Sequence, residues 1–496
     1  ESEICLMGVF DIFRKRKTTV TKRNYDGVQT GRIFADFISS QRSADSEIRY
    51  NLKTLRNRSR DLSRNNEYAK RYLRLLRQNV VGERGVQLQV KAINPDGRLD
   101  QAGNNIVEAA WRKWCEMGNC TVDGKLSFVD AQELFIESLA RDGEVIIRMV
   151  RYDGNQDRFA IQFLEADYLD EDKNEILRNG NRIRMGVEVD PYGRPVAYHL
   201  FTEHPNDLEY PSQYNREYQR LDAEMILHVY MPDRSQQTRG VPFMSTAISA
   251  LKMLHGYREA ELVAARTAAC KTGFFTSPAG DGFAADEFDN NVPLMEAEAG
   301  TFHQLPAGVE FTPFDPSHPT SAFAEFEKSI LRGIASGLGV SYHSLANDLT
   351  QTSYSSIRQG TIEDRDFYRL MQRFMIQHFI QPVFRQWLLS AMTSGTVVLP
   401  IEKYDKFANA ANFQPRGFSW IDPQKEINAH VTALQNGLIS MQDVQNQYGR
   451  DVEDTFAQIS RDKEIAQQFG LSMAFEPFGA PKFPVEPDIV EAEDGD

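Results

Sequence analysis

The sequence has few cysteines and no CxxC pair in its 496 residues. The four cysteines, Cys5, Cys115, Cys120 and Cys270, do not form the dense framework of a disulfide-stapled domain, so we expect a reducing compartment. Cys115 and Cys120 lie close together, but no second Cys or His pair lies near them. Their spacing favours ordinary buried thiols over a zinc site.

Long apolar runs are also absent from the sequence. No stretch approaches the roughly 20 residues that a membrane-spanning helix needs. The opening "ESEICLMGVFDIFRKRK" has its charges on the wrong side of a short apolar part for a signal peptide. We therefore expect a soluble, intracellular protein, or one built into something assembled there, with no membrane partner.

Signatures of the common catalytic folds are missing. The sequence contains no GxxxxGK[ST], HExxH or GxSxG, and no GxGxxG between a strand and a helix, which argues against NTPase, zincin, serine-hydrolase and dinucleotide-binding folds. His343 lies near Ser341 and Ser344, but a catalytic triad also needs an orienting group and an oxyanion hole. The strongest metal candidate is "EADYLDED", whose carboxylates could hold Mg²⁺: Glu165, Asp167, Asp170, Glu171 and Asp172. We expect solvated carboxylates there, and no catalytic residue, metal or cofactor.

Charge is distributed unevenly along the chain. The net charge is −14, yet residues 1–77 contain eighteen Lys or Arg against nine Asp or Glu, which leaves −23 for the remainder. Tight binding of nucleic acid depends mainly on cations that neutralise phosphates. An acidic chain of this kind is therefore not expected to bind nucleic acid tightly in the ordinary way.

The basic amino-terminal part has a helical pattern. From Asp45 to about Val81, apolar residues recur at helical spacing among arginines, which predicts one or two amphipathic helices ending at Gly82. We expect the arginines to lie on a solvated or subunit-facing surface, with direct nucleic-acid contact as the alternative. The apolar positions are Leu52, Leu55, Leu62, Tyr68, Tyr72, Leu75 and Leu76.

Two helices, over about 103–117 and 128–141, and then several strands are predicted next. "GEVIIRMVRY", "FAIQFLEADYL", "NRIRMGVEVDPYGRPVAYHLF" and "MILHVYM" are apolar or alternating, and turn residues such as Asp190-Pro191-Tyr192-Gly193 separate them. These patterns predict an α+β unit with a largely antiparallel sheet.

Long helices dominate the second half. A helix of about 28 residues is predicted from Phe243, and a second one follows the Pro/Gly/Asp-rich segment 273–319. The second helix has one apolar stripe, which we expect to pack on the first helix or on a neighbouring subunit. Its members are Phe323, Phe326, Ile330, Ile334 and Leu338. On the opposite side lie Glu325, Lys328, Arg332 and Ser336.

A polar junction separates this helix from a third, predicted from about Tyr354 to Met392. "SYHSLANDLTQTSYSSIRQG" is crowded with hydroxyls and amides and has few full charges. The third helix should kink at Pro382, because proline has no amide hydrogen and clashes with the preceding turn. The chain finishes with a helical region and a proline-rich acidic segment that is expected to be disordered.

The sequence resembles the portal proteins of tailed phages, specifically the lambda-type portal family. The resemblance runs in order through about 45–400 and includes "LRNRSRDLSRNNEYAKRYLRLLRQNVVGERGVQLQ", "WRKWCEMGNC", "LARDGEVIIRM", "GVEVDPYGRPVAYH", "RGVPFMSTAISALKML" and "TSYSSIRQG". It implies a head–tail connector, usually a ring of twelve subunits at one capsid vertex, through which DNA is packaged and ejected. The family has no enzymatic active site to transfer.

The resemblance also implies a domain map for this α+β chain. It comprises an amino-terminal arm (1–45), an α/β wing (46–240), two stem helices (241–272 and 321–340), a small α/β clip (273–320), a tunnel loop (341–353), a kinked wing helix (354–400), a mostly helical crown (401–470) and the acidic tail (471–496). We expect the virion, assembled in the host cytoplasm, to be its location.

Three surfaces follow from this map. The tunnel loop would face double-stranded DNA weakly through Asn347, Asp348, Thr350, Gln351, Thr352 and Ser353. The stem would face the channel through Glu325, Lys328, Arg332 and Ser336. The clip would dock terminase and head-completion proteins through Asp281, Phe283, Asp286, Glu287, Phe288, Asp289, Glu296 and Glu298.

Further partners would be other copies of the chain and the capsid or scaffold protein. Two other functions remain open at this point. One is a structural head or tail protein without a channel, and the other is a metal-dependent nuclease that uses "EADYLDED". The polar junction could also be only an interhelix turn in which Ser353 caps the next helix.

Overall fold

The computed structural model describes residues 41–207, 217–269, 273–276, 287–289, 292–294, 310–313, 323–350, 353–418, 423–448 and 450–471. Within these ranges, long helices are combined with small antiparallel sheets, which confirms the predicted α+β class. Most of the predicted arm and tail lies outside the described residues.

Helices and strands follow in this order. The helices are α1 (Ala44–Ile48), α2 (Leu52–Asn65), α3 (Glu67–Leu76), α4 (Gln101–Trp114), α5 (Phe128–Asp142), α6 (Ile248–Ala269), α7 (Phe323–Leu338), α8 (Tyr342–Ala346), α9 (Tyr354–Met375), α10 (Gln381–Ser394), α11 (Tyr404–Asn409), α12 (Pro423–Gln435), α13 (Met441–Gln447) and α14 (Val452–Gln468). The strands are β1 (Gln87–Val90), β2 (Glu144–Arg151), β3 (Phe159–Leu164), β4 (Glu175–Ile176), β5 (Arg182–Arg184), β6 (Val187–Val189), β7 (Pro195–Phe201), β8 (Tyr218–Asp222), β9 (Ile226–Tyr230), β10 (Gly273–Thr276), β11 (Glu287–Asp289), β12 (Val292–Leu294), β13 (Glu310–Pro313) and β14 (Ala411–Gln414).

The basic segment forms the helices α2 and α3 in the predicted place. Asn66 separates them, and its side chain accepts hydrogen bonds from the amides of Tyr68 and Ala69, which caps α3. A π-helical turn over Arg77–Val81 ends at Gly82, whose φ of 70° suits glycine. Leu52 and Leu76 are fully buried, so the apolar stripe faces the core as predicted.

Two antiparallel sheets follow the helices. In the first, β2 lies between β3 and β9, and almost every side chain of β2 is at least partly buried. The second has the order β4-β5-β6-β7-β8, and the predicted turn at Asp190 joins β6 to β7 with Gly193 at a φ of 89°. The central strand β2 therefore begins directly after α5 and is paired on both sides.

An aromatic cluster connects the early helices to the late ones. The Trp111 ring lies 4.9 Å from the rings of both Trp114 and Trp387, and 5.2 Å from Phe128. Trp387 belongs to α10, so the end of the third long helix packs into the same core as α4 and α5. Such rings each bury a large apolar area. We use "wing" only as a name for residues 46–240, and "stem" as a name for α6 and α7.

The predicted first stem helix begins later than the sequence indicated. A 3₁₀ turn covers Phe243–Thr246, and α6 begins only at Ile248 and contains 22 residues. The Thr246 hydroxyl donates to the carbonyl of Gly337, which ties this turn to the end of α7. The contact between the two stem helices therefore begins before α6 itself.

The third helix is irregular just before Pro382, where a kink was predicted. A π-helical turn over Ile376–Ile380 separates α9 from α10. Because proline cannot donate to the carbonyl four residues earlier, the irregularity falls in the turn that precedes it. In the described ranges, no helix is long and apolar enough to cross a bilayer.

Candidate functional site

The apolar stripe of α7 is only partly buried. Ile334 and Leu338 are 3% exposed, and Leu331 and Ala335 join them on the buried face. Nearer the start of the helix, the ring of Phe326 lies 5.4 Å from that of Tyr257 on α6 and remains 51% exposed. Phe323 makes a similar contact with Tyr257, and Ile330 packs at the margin of the core. The stripe is therefore buried near Leu338 and exposed near Phe326.

The polar stripe of α7 is exposed along most of its length. Glu325 and Lys328 form an ion pair of 3.5 Å one turn apart, and Lys328 keeps about a fifth of its side chain accessible. The Arg332 guanidinium lies 5.6 Å from the centroid of the Tyr342 ring, so α8 contacts this side chain. Ser336 is exposed. This face carries both signs of charge, as the sequence predicts.

Much of α6 is exposed or only partly buried among the described residues. Leu251 and Leu254 are buried against the wing, whereas no residue over 255–266 is buried. Met253 is 75% exposed and Leu262 is 61% exposed. Near its middle, Arg258 forms ion pairs with Glu67 of α3 and Glu327 of α7. Buried apolar contacts therefore hold the start of the helix, and ion pairs hold its middle.

The predicted tunnel loop contains a short helix, α8, which the prediction of an irregular loop over 341–353 missed. Ser341 caps α8 and accepts a hydrogen bond from the Ser344 amide. The buried carboxylate of Asp364 on α9 accepts from the amide and hydroxyl of Ser341, at 2.7 and 2.8 Å, and from the Ser344 hydroxyl at 2.6 Å. Ser341 and Ser344 therefore bind the first part of the polar junction to α9.

The remaining part of the junction is exposed. Asn347 has a left-handed φ of 54°, and Asp348 accepts from the Tyr342 hydroxyl at 2.9 Å and from the amide of Thr350 at 2.9 Å. The Thr350 hydroxyl and amide, together with Tyr342, lower the pKa of Asp348 to about 2. Ser353 accepts from the Ser356 amide and caps α9, while Gln351 and Thr352 lie outside the described residues.

The serines of the junction are not arranged for nucleophilic catalysis. Ser341 and Ser344 donate to Asp364, whereas His343 Nδ1 lies 3.0 Å from the Asp348 carbonyl oxygen. A nucleophile needs a hydrogen bond to its base. These contacts instead hold α8 in place.

Most of the predicted clip lies outside the described residues. Asp281, Phe283, Asp286, Glu296 and Glu298 belong to that group. Residues 287–289, which include Glu287, Phe288 and Asp289, form β11, and β11 pairs with β12 in an antiparallel ladder. A second ladder pairs β10 with β13. Short strands therefore occur in the segment between the stem helices.

Arginines from other parts of the chain pair with carboxylates of the acidic segment after β3. Asp167 lies 2.6 Å from Arg60 and 3.6 Å from Arg56. Glu171 lies 3.3 Å from Arg56, and Asp170 accepts from the Tyr218 hydroxyl. Asp172 is exposed, with Arg49 at 3.5 Å. Glu165 and Asp167 come together with His204 in a group that could offer three ligands to a metal. Two guanidinium groups already neutralise Asp167, which makes this group a poor cation site.

A buried ionic cluster lies beside this segment, and sequence reasoning missed it. We call Arg56, Glu144, His228 and Arg239 the Glu144 cluster. Glu144 is fully buried at the start of β2 and accepts from Arg56 at 2.8 Å, from Arg239 at 2.8 Å and from Gly240 at 3.1 Å, with His228 Nε2 at 2.9 Å. Arg56 is also fully buried, so the expectation of a solvated or subunit-facing arginine surface was wrong for this residue.

Charge pairing decides the ionisation of this cluster. Burial alone would raise the pKa of Glu144, but Arg239 and His228 hold that pKa well below its usual range. Burial lowers the pKa of His228, although Glu144 opposes this effect. Arg239 additionally donates to the carbonyls of Ala166, Leu169 and Met185. The Glu144 cluster therefore connects the helix α2, the strands β2 and β9, and the segments that contain Ala166, Leu169 and Met185.

Two glycines allow the same region to close. Gly143 has a φ of 87°, and a Cβ there would collide with the backbone of Val241 and Pro242. A Cβ on Gly240 would collide with the carbonyl of Gly143. The two stretches "RDGEV" and "RGVPF" therefore meet backbone to backbone at the point where the wing passes into the stem.

The neighbouring cysteines behave as buried thiols. Cys120 is fully buried, and its thiol donates to the Leu126 carbonyl at 3.2 Å. Burial raises the pKa of Cys120 to about 12 and that of Cys115 well above its usual value. Protonated thiols are weak metal ligands, so the expectation of ordinary thiols fits this environment.

Comparison with known proteins identifies the family of the chain. The pattern described as "Phage portal protein, lambda family" matches residues 30–372. The "Probable portal protein" of Halomonas phage phiHAP-1 is 39% identical over 440 residues, which are 87% of this chain and 84% of that protein. "Portal protein B" of Escherichia phage lambda is 23% identical, over 86% of this chain and 87% of that protein.

One of the matches is to a solved structure. It is the neck of a native GTA particle, 14% identical, with a TM-score of 0.41 over 82% of this chain and 92% of that chain. The match to the family pattern and the 39% identity to a phage portal protein cover most of the sequence. The chain therefore belongs to the lambda family of phage portal proteins.

Proposed function

We propose that copies of this portal protein form a ring, with twelve as the expected number, around a channel for double-stranded DNA at one vertex of the virion. The ring is assembled in the host cytoplasm. DNA passes through it during packaging and ejection, and the chain catalyses no reaction itself. The stem helices and the polar junction line the channel, and the clip docks other proteins.

The observation that carries this proposal is the uncovered surface of α6. An isolated helix is marginal in water, and most helical stability comes from packing of an apolar face. Past Leu254, α6 has no buried residue over 255–266, and Leu262 is 61% exposed there. Phe326 on α7 is half exposed at the same end. Neighbouring copies in a ring would cover these side chains.

The junction and α7 suit a wall that DNA slides along. Asn347 and Thr350 offer amide and hydroxyl groups, and Asp348 stays ionised down to about pH 2. Lys328 is paired with Glu325, so the positive charges of α7 are partly neutralised. Strong phosphate binding needs unpaired cations. Contacts of this kind would be weak and exchangeable.

We infer the partners from two features. The sequence has no nucleotide-binding loop, and the clip lies between the two stem helices in the chain. A chain without a nucleotide-binding loop has to dock an ATP-driven terminase, and we assign this role to the clip. The clip would then dock head-completion proteins, while the wing would contact the capsid or scaffold protein. Reversing several clip charges should weaken terminase association and leave rings intact.

Particle mass tests the ring directly. We expect mass photometry and negative-stain images of the purified chain to show closed rings, and Leu262→Asp to reduce them to smaller species. Val398→Asp is the matched control, because Val398 is an exposed apolar residue outside the stem. Rings that form equally well with Leu262→Asp would contradict the proposal.

The channel assignment has its own test. Replacing both Lys328 and Arg332 by Ala should leave rings intact but alter DNA packaging or retention. Loss of rings in this double variant would mean that the stripe faces a neighbouring subunit and not the channel.

A further inference from the structure

A cavity rich in arginine lies between α9, β14 and α13. Its volume is about 780 Å³, and the described residues that line it include no carboxylate. We call it the arginine cavity and define it by Arg369, Arg373, Arg416, Phe418, Asn412 and Asn446. The chain as a whole is acidic, so a concentration of positive charge here is unusual for its composition.

Arginines crowd around one aromatic ring at this cavity. The guanidinium groups of Arg365, Arg369 and Arg416 lie 5.4, 5.7 and 5.7 Å from the centroid of Phe418. Burial lowers the pKa of Arg365, and the charges of Arg369 and Arg416 lower it further, although Glu426 opposes them. Like charges brought this close repel one another unless an anion lies between them.

Some of these charges have partners, but the described residues that line the cavity carry no carboxylate to neutralise it. Arg369 pairs with Asp366 on its own helix at 3.0 Å. Arg416 donates to the carbonyl of Gln78. Among the described residues, no carboxylate lies within ion-pair distance of Arg373. Asn412, Asn446 and several glutamine side chains add hydrogen-bond donors.

The segment that follows the described residues has the complementary charge. Between Ser472 and Asp496 it has one basic residue, Lys482, and the acidic residues Glu476, Glu486, Asp488, Glu491, Glu493, Asp494 and Asp496. Ile489 and Val490 are apolar, and the cavity offers Ile376 and Phe413 as apolar wall. Arginine forks bind carboxylates in a bidentate geometry that lysine cannot match.

The same chain can reach the cavity. Gln447 at the end of α13 lines the cavity, and α14 begins five residues later at Val452. The 17 residues of α14 lead the chain about 25 Å away at 1.5 Å per residue. An extended chain returns over that distance in about eight residues at roughly 3.3 Å each. The acidic residues from Glu486 onward lie beyond that point.

We propose that the arginine cavity binds the acidic segment 472–496 of the same chain. The carboxylates would pair with Arg369, Arg373 and Arg416, and the apolar residues would pack against Phe413 and Phe418. Binding would fix this segment against the crown and neutralise the cavity. The proposal concerns one chain, so its failure would leave the ring and the channel untouched.

Hydrogen exchange of the full chain, read by mass spectrometry, tests this proposal. We expect amides of 484–496 to be protected at low salt and to exchange about tenfold faster in the Arg369→Ala/Arg373→Ala variant, which corresponds to a tenfold weaker binding constant. Arg385→Ala is the matched control, because Arg385 lies on the continuing helix α10 and lines a different cavity. Its exchange should match that of the parent chain.

A second variant guards against misfolding of the first. Glu491→Gln, Glu493→Gln, Asp494→Asn and Asp496→Asn together should abolish the same protection without touching the cavity. Unprotected amides over 484–496 in the parent chain would overturn the proposal. If a short DNA duplex binds the parent chain and loses about tenfold affinity in the double arginine variant, while the segment stays unprotected, the cavity is a phosphate site instead.

Discussion

The wing and the stem handle charge and apolar surface in opposite ways. In the wing, Arg56 is fully buried and contacts Glu144, Asp167 and Glu171. In the stem, Arg332 is exposed and contacts only the face of one ring among the described residues. Apolar residues show the same contrast, because Leu76 in the wing is fully buried and Leu262 in the stem is 61% exposed.

This contrast separates the region whose buried contacts are all made within one chain from the region that leaves apolar side chains exposed. A buried charge needs all its partners in place, and the Glu144 cluster provides them within a single chain. The stem leaves apolar side chains in water, which one chain cannot correct. The wing therefore sets the shape of the subunit, and the stem supplies the surface that other copies are proposed to cover. Four predictions test this division, in order of decreasing effect.

Removing Glu144 should have the largest effect. Glu144→Ala leaves Arg56 and Arg239 buried without their shared carboxylate, which should lower the free energy of unfolding by about 3–5 kcal/mol. Urea denaturation of the dissociated chain, followed by tryptophan fluorescence, measures this. Asp366→Ala is the control, since it breaks an exposed ion pair and should cost less than about 0.5 kcal/mol. Equal losses of unfolding free energy in the two variants would contradict the difference between buried and exposed ion pairs.

Filling the close approach between wing and stem should have the next largest effect. Gly143→Ala places a Cβ against the backbone of Val241 and should destabilise the chain by about 2–4 kcal/mol, from overpacking and from the left-handed φ together. Gly193→Ala has nearly the same φ and nothing within 4 Å, so only the conformational cost of about 1 kcal/mol remains. The difference between the two denaturation midpoints isolates the collision.

Acid should weaken the wing through Glu188. Arg220 above all, with Asn181 and His199, lowers the pKa of Glu188 to about 2, against an ordinary value of 4.5. The stabilisation is therefore complete above about pH 4.5 and is lost as the pH falls toward 2. Glu188→Gln should cost roughly 1 kcal/mol at pH 7 and flatten the change between pH 4.5 and 2.5.

The exposed Glu175 is the control for this titration. Glu175→Gln should cost less than about 0.5 kcal/mol at pH 7, because its carboxylate is about half accessible and pairs only with Lys173 among the described residues. A steep acid dependence that survives Glu188→Gln would assign the effect to other carboxylates of the wing.

Truncating an exposed stem residue should have the smallest effect on one chain. Met253→Ala should change the free energy of unfolding of the dissociated chain by less than about 0.5 kcal/mol, whereas Leu254→Ala should cost about 2–4 kcal/mol. Mass photometry should nevertheless show fewer rings with Met253→Ala at low protein concentration. A large loss of stability in the dissociated chain would mean that Met253 is covered within the subunit.

Local patterns in the sequence predicted most of the helices. The stripe from Leu52 to Leu76 and the stop at Gly82 follow from spacing and from one glycine, both of which act over a few residues. The irregular turn before Pro382 follows from the chemistry of proline. The start of α6 was misplaced because a bond from Thr246 to the distant Gly337 favours a separate turn.

Long-range pairing limited the prediction of the site. The Glu144 cluster joins residues 88 and 95 positions apart, and no local period encodes such contacts. One signal was available: Arg56 stands four residues after Leu52, on the buried stripe of its helix. The helix α8 was hidden because its five residues resemble a polar turn, and its fastening carboxylate, Asp364, lies twenty residues further along.

The Glu144 cluster also has a consequence for the order in which the chain is synthesised. Its last member, Arg239, leaves the ribosome before any residue of α6, so the cluster can close while the stem is still unmade. Trp387 follows 148 residues later, a delay of roughly 7–30 s at 5–20 residues per second. During that interval the rings of Trp111 and Trp114 lack the contact that Trp387 makes with them, so the nascent wing has an incomplete aromatic core.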